Sequence, residues 1–445
     1  MAQPINQTST SMRELDRRHL WHPYSKHSAI HSEPFPIMTR GRGVHLYDAD
    51  DRAYIDGISS WWCCNLGHSR PDLVTALQRQ SDQLQHSILG NMSHPAAVHL
   101  AARLAGIFPT AGRRVHFASD GASAVEAACK IALQYRHAIG EPHRHKFLSL
   151  KNGYHGDTLA MVSLGFIDAF HAPFEHMIPR AQQAPAPCPD ARHLGMQPHS
   201  CTAECLAAFR ETFAAHADEL AAVVLEPLCQ GAAGMRLYHR DALAEIARLC
   251  VEHDVLLIAD EIATGYGRTG RMFAFEHAGI DPDIVCLGKG LTGGYLPMSA
   301  TVVTDRIYAA FTDKPEDHTF YHGHTFAGNP IAAATAIAVL DAYRDEDIVE
   351  RAARAGETLR RQLEAFVDEP GVADVRCLGM IGAVELKDAP SPRLPETCMA
   401  RGLIVRPLGN VVYLMLPLVA ENKIIVEATD ILLDGVRACA ELGAG

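Results

Sequence analysis

From about Pro71 the chain alternates helical stretches with short apolar runs, and polar or glycine-rich residues follow each run. Arg114–Phe117 leads into Ala118-Ser119-Asp120-Gly121-Ala122-Ser123, and Lys146–Leu150 into Asn152-Gly153-Tyr154-His155-Gly156-Asp157. Ala222–Leu225 leads into Glu226-Pro227, Val255–Ala259 into Asp260-Glu261, and Ile284–Leu287 into Gly288-Lys289-Gly290. Short apolar runs separated by helical periodicity predict buried strands of a mostly parallel sheet with helices packed on it, an α/β fold. Ligands of such open sheets bind beyond the carboxyl ends of the strands, where these polar residues collect. The pattern therefore predicts one large site along one sheet edge.

The helix opened by Gly121–Ser123 should run through Val125, Ala128, Ile131 and Tyr135, with Glu126 and Lys130 paired one turn apart. From about Ala332 the pattern turns helical through Leu340, Ile348 and Leu359. Short strands then follow around Val375-Arg376, Gly382–Leu386 and Val411–Leu416. The stretch before Pro71 is strand-rich, with turn signals at Arg40-Gly41-Arg42-Gly43 and Asp48-Ala49-Asp50-Asp51, and the first dozen residues are expected to be disordered. The expected organisation is a large domain over 71–331 and a smaller α+β domain over 332–445, joined by the N-terminal segment 1–70.

Composition narrows the function. With 48% hydrophobic and 21% charged residues in 445, the chain has ordinary globular composition. A net charge of −12 argues against nucleic acid or an anionic membrane as partner. The apolar runs are too short to span a bilayer, and residues 1–11 lack a signal-peptide layout, so a cytoplasmic protein is expected. Of 12 cysteines, Cys63 and Cys64 are adjacent, while Cys129, Cys250 and Cys286 sit in apolar patterns as small buried hydrophobes. Cys188, His193, His199, Cys201 and Cys205 match no standard zinc spacing and read as a surface loop, so no metal site is expected.

Lys289 stands at a strand end inside Gly288-Lys289-Gly290-Leu291-Thr292-Gly293-Gly294. A phosphate-binding P-loop is excluded, because Gly290 follows the lysine where Ser or Thr is required. An exposed loop lysine is the common alternative; in a dry pocket the same amine loses basicity and reacts with an aldehyde. Asp260 ends a buried apolar run, where an acid needs a cationic partner unless it caps the next helix. Gly121 and Ala122 open a helix whose free N–H groups suit an anion. Tyr154 sits on a tight turn at the same edge, where its ring stacks on a flat ligand or packs as a loop tyrosine.

Leu257–Gly270, Leu287–Gly294 and His324–Pro330 together resemble the signature of the class III, fold type I aminotransferases, and the resemblance runs from about His19 to Leu416. Within that family His19–Tyr24, Asp56–Trp62, Asn152–Thr158 and Ile404–Pro407 resemble the branch that makes 7,8-diaminononanoate in biotin biosynthesis. That branch moves an amino group from S-adenosylmethionine, or in some members lysine, to 8-amino-7-oxononanoate. An ω-amino acid or diamine transaminase, or an aminomutase, stays open as the alternative. The resemblance implies pyridoxal 5′-phosphate as cofactor, a mostly parallel seven-stranded sheet and a homodimer with shared sites. It implies that Lys289 holds the cofactor and shuttles the proton, that Asp260 pairs with the pyridine nitrogen, and that Tyr154 lies against the ring. Gly121 and Ala122 would bind the phosphate, as would His324 and Thr325 reaching in from a second subunit. Tyr24 and Trp61 would line the substrate pocket, Gly323 would leave room in it, and Arg406 would pair with the keto-acid's distal carboxylate. Glu226, Asp157 and Arg268 would be pocket or supporting residues, Glu226 on the cofactor side. Two departures stand out: Asp120-Gly121-Ala122 where relatives often have Ser-Gly-Ser, and His324 where proline is frequent.

Overall fold

Seven strands form the large sheet, labelled here in chain order: β1 Arg113–Ala118, β2 Lys146–Leu150, β3 Gln182–Ala184, β4 Leu220–Leu225, β5 Leu256–Asp260, β6 Ile284–Leu287 and β7 Ser299–Thr304. Their order across the sheet is β1-β7-β6-β5-β4-β2-β3, and only β7 runs against the rest. The computed structural model describes residues 9–32, 35–178, 180–187, 206–388 and 393–440. The central strands β4, β5 and β6 are buried at every position, as expected where both faces of a parallel sheet are covered.

Alternate residues of these strands feed different cores on the two faces of the sheet, following the two-residue period of a strand. Val224, Ile258 and Cys286 pack against Val125, Ala128 and Ile131 of the helix Gly121–Ala138. Val223 and Leu257 pack instead with Phe209 and Phe213 of Ala207–His216 and with Leu243 and Ile246 of Arg240–Glu252. Each Val, Leu, Ile or Phe among them contributes roughly 1.5–3 kcal/mol on burial, which holds the carboxyl ends of β4, β5 and β6 side by side.

The C-terminal part begins with the helix Pro330–Asp345, where Pro330 needs no hydrogen-bond acceptor and Asn329 caps the N–H groups of Ile331 and Ala332. Helix Ile348–Leu363 and a three-stranded sheet, Val372–Leu378, Ile381–Leu386 and Val411–Leu414, follow. A four-stranded sheet joins Met38–Arg42, His45–Asp48 and Ala53–Asp56 to Leu403–Ile404, whose parallel pairing with Ala53–Asp56 ties the two ends of the chain together.

Two expectations need correction. Ser9–His19 is a helix, so the disorder expected for residues 9–12 is not found; residues 1–8 lie outside the described residues. Long-range bonds anchor it: Arg13 donates to the Phe35 carbonyl at 3.0 Å and pairs with Asp50 at 3.2 Å. Glu126 and Lys130 are not paired as expected from their spacing. Glu126 accepts from the Thr158 hydroxyl at 3.2 Å, and the Lys130 amine lies 3.0 Å from His322 Nδ1. Tertiary partners outcompete an exposed one-turn ion pair worth only a few tenths of a kcal/mol. The cysteine–histidine group from Cys188 to Cys205 lies outside the described residues. Among the described residues no helix is long and apolar enough to cross a membrane.

Candidate active site at the strand ends

The carboxyl ends of β1, β2, β4, β5 and β6 open on a cavity of about 480 Å³ whose lining includes Gly121, Tyr154, Glu226, Asp260, Lys289 and Trp62. That volume suits a small-molecule ligand or cofactor. Lys289 lies one residue beyond β6 and has φ +42°, a left-handed conformation that turns the chain sharply between Gly288 and Gly290. The turn places its Nζ 4.9 Å from the centroid of the Trp62 ring. Burial lowers the pKa of this amine, while Asp260, Glu226 and Cys63 oppose the shift without cancelling it.

Asp260 is the last residue of β5 and is buried. Its Oδ1 accepts from the Ile262 N–H at 3.2 Å and its Oδ2 meets His155 Nδ1 at 2.8 Å. Burial works against a charged His155, but the hydrogen bond and charge of Asp260 prevail and raise its pKa. The other ring nitrogen, His155 Nε2, is buried without a partner among the described residues. Glu226, just beyond β4, accepts from the N–H groups of Tyr154 and Gly231, each at 3.0 Å. Burial pushes its carboxyl up to about 7, with His155 opposing and Asp260 adding to the shift.

At the other end of the cavity Gly121 and Ala122 begin an 18-residue helix. Asp120 caps it: its carboxylate accepts from Ser123 N–H at 3.0 Å and from the Ser123 hydroxyl at 2.9 Å. The cap turns both acidic oxygens toward Ser123, and the N–H groups of Gly121 and Ala122 have no acceptor within the helix. Gly156 passes so close that a Cβ there would lie 2.3 Å from the Ala122 Cβ.

The rim is built on Asp157. Its carboxylate accepts from the Tyr24 hydroxyl and, at 2.9 Å, from the Tyr154 hydroxyl. Burial first, then Asp157, pushes the Tyr24 phenol up to about 12, and the same causes raise Tyr154 further, so both remain neutral donors. The Tyr24 ring meets Trp61 edge-on at 5.8 Å, and Arg406 lies 4.4 Å over the Trp61 ring while donating to the Tyr24 carbonyl at 3.2 Å. Among the described residues no carboxylate pairs with Arg406.

The structure thus brings Gly121, Ala122, Tyr154, Glu226, Asp260 and Lys289 to one cavity, with Asp157 at its wall and Tyr24, Trp61 and Arg406 beyond it. Gly323, His324 and Thr325 are exposed and do not line this chain's cavity. Arg268 is buried elsewhere, donating to the Leu416 carbonyl and to Asn65 Oδ1 at 2.6 Å, where it braces the Ser59 loop. Sequence reasoning gave no role to Trp62 or to His155. Trp62 was hidden because Ser59, Ser60, Trp61 and Trp62 all have positive φ, which breaks the alternation that tells inward from outward residues. For His155 the available signal was a polar ring on the turn after a strand end, at the same sheet edge as Asp260.

Comparisons with known proteins identify the family. The chain is 38% identical over 444 residues to the adenosylmethionine-8-amino-7-oxononanoate aminotransferase of Geobacter sulfurreducens, covering 96% of each chain. The crystal structure of the enzyme of that name from Methanocaldococcus jannaschii superposes with a TM-score of 0.90 at 35% identity, covering 97% of this chain and 99% of that one. An amine transaminase from an uncultivated Pseudomonas species, in its PLP-bound form, gives a TM-score of 0.88 at 34% identity over 95% of this chain and 99% of that one. Residues 27–436 match the family described as class-III aminotransferase, and the chain belongs to that family.

Proposed function

We propose that this enzyme transfers an amino group from S-adenosylmethionine to 8-amino-7-oxononanoate, giving 7,8-diaminononanoate, with pyridoxal 5′-phosphate held in the strand-end cavity. The cavity fits that cofactor. Two buried acids, Asp260 and Glu226, face one amine and one histidine, so a protonated pyridine nitrogen would meet its counter-charge at Asp260. The N–H groups of Gly121 and Ala122 would take the phosphate, and Tyr154 and Ile262 would flank the ring. When bound, the cofactor supplies an aldehyde that accepts the amino group and a ring that takes up electrons.

The protein's residues do the rest. Lys289, made less basic by burial, would present a free amine to hold the cofactor, then carry a proton on Nζ to and from the substrate carbon. His155 fixes Asp260 and keeps it from turning away. The neutral hydroxyls of Tyr24 and Tyr154, both fastened to Asp157, would shape the substrate entrance. In a homodimer the segment carrying Gly323, His324 and Thr325 would reach the phosphate end of the other copy's cavity. Tyr321 and Phe326, 81% and 64% exposed, flank that segment and offer apolar surface for a second copy to cover.

The observation that carries the substrate reading is Arg406. It is a guanidinium held 4.4 Å over the Trp61 ring just beyond the cavity, with no carboxylate partner among the described residues, which suits a substrate carboxylate gripped by two N–H groups. Arg406→Ala should raise KM for the keto-acid by about tenfold to a hundredfold, the worth of one charge-assisted hydrogen-bonded pair, and change the donor half-reaction little. Single-turnover kinetics of each half-reaction reads this, and equal losses in both would contradict the assignment.

A further inference from the structure

Behind the lysine loop lies a pair of thiols that the proposed chemistry does not use. Cys63 and Cys64 follow the four left-handed residues 59–62, and their Sγ atoms lie 3.9 Å apart. The pair touches the loop that carries Lys289: a Cβ on Gly294 would lie 2.6 Å from the Cys64 sulfur and 3.3 Å from the Cys63 sulfur. Trp62, the preceding residue, carries the ring beneath the Lys289 amine.

The spacing decides what the pair suits. A disulfide needs sulfurs about 2.05 Å apart and Cα atoms usually about 4.4–6.8 Å apart, whereas consecutive residues have Cα atoms about 3.8 Å apart. Closing a disulfide here would strain the backbone. Two sulfurs each bonded at about 2.3 Å to one soft atom stand roughly 3–4 Å apart, which the thiols already do. Among the described residues no group of three or more His, Cys, Asp or Glu could hold a metal ion, so an ion needing four protein ligands is unsuited. The matching ligand needs only two sulfurs and brings its own third substituent.

We propose that Cys63 and Cys64 form a two-sulfur binding site for monosubstituted trivalent arsenicals, and that filling it disables the enzyme by displacing the Lys289 loop. The reaction is a condensation: two As–S bonds replace the arsenic–oxygen bonds, both thiol protons leave with the oxygen as water, and arsenic keeps its oxidation state. Cys63 is half-buried and so reachable, Cys64 lies buried beside it, and the contact between them acidifies the Cys63 thiol against the effects of burial and Asp56. The cysteines at 129, 229, 250, 286, 377 and 398 are buried, as is Cys64, but among the described residues only Cys64 has a half-buried cysteine next to it in sequence.

The test is phenylarsine oxide on the cofactor-loaded enzyme. One phenylarsenic group per chain should appear by intact mass and map to the peptide holding Cys63 and Cys64. A small dithiol should remove it, and an equal concentration of a monothiol should not. Amine transfer should fall at least about tenfold as labelling completes, because a shift of about an ångström at a catalytic group costs that much or more. Cys63→Ala, with circular dichroism and cofactor absorbance to show that it folds, should lose the label at this peptide and keep its activity in the arsenical. Label only elsewhere, for example at Cys201 and Cys205, would overturn the site, and full activity at full labelling would overturn the loop displacement.

Discussion

His155 shows how much of a site can rest on one bond. Its Nδ1 lies 2.8 Å from the Asp260 carboxylate inside a buried wall, so removing the ring leaves that acid with one hydrogen bond fewer in a dry place. His155→Ala should weaken cofactor retention by about tenfold, the usual worth of a hydrogen bond to a charged group, with the fold intact. Dialysis followed by cofactor absorbance measures this, and unchanged retention would mean that Asp260 needs no brace. Lys289→Ala should abolish amine transfer and the absorbance band of covalently held cofactor together. Residual steady-state turnover in that variant would contradict its role. Lys289 and Asp260 were legible in the sequence because an ionisable residue at the end of an apolar run is chemically conspicuous. Trp62 was not, because nothing in Ser59-Ser60-Trp61-Trp62 announces four left-handed residues in a row.

At the scale of elements, the strand order could not be read from the chain, but the strand ends could. The runs that become β4, β5 and β6 are apolar throughout, so their polar successors mark the edge whichever strand neighbours which. The antiparallel β7 and the pairing of Leu403–Ile404 with Ala53–Asp56 come from long-range packing that local pattern does not encode. The turn after β2 reaches the helix Gly121–Ala138 through Gly156, whose φ is +122°. Gly156→Ala would push a methyl into Ala122 and tilt the N–H groups proposed to take the phosphate. Cofactor affinity should drop by about tenfold or more, since those N–H groups act through geometry. Gly106→Ala, at a helix end with open space around it, should change nothing. Equal behaviour of the two variants would show that the close approach is unimportant.

For the whole molecule, one buried acid outside the cavity sets a pH dependence. Glu261 accepts from the Thr264 hydroxyl at 2.6 Å and from the Phe275 N–H at 2.9 Å, and burial raises its carboxyl from 4.5 to about 7. A raised acid holds its proton in the folded chain after the unfolded chain has released it. Its stabilising contribution is therefore present below pH 4.5 and lost as the pH climbs to about 7. Glu261→Gln should match the parent near pH 4.5 and gain on it through pH 7, by on the order of 3 kcal/mol at most. Urea unfolding at pH 5 and pH 8 reads the difference, and a gap that shrinks with rising pH would reverse the sign.

The family follows from residues spread over nearly the whole chain, while the reaction rests on a few rim residues, so the substrate is where a measurement counts most. Purified, cofactor-loaded protein should be mixed with 8-amino-7-oxononanoate and, separately, S-adenosylmethionine, lysine, alanine or glutamate, and assayed for 7,8-diaminononanoate. Product should form with S-adenosylmethionine. Product with lysine alone would contradict the donor, and no product with any donor, while alanine or glutamate still converts the cofactor to its amine form, would contradict the acceptor.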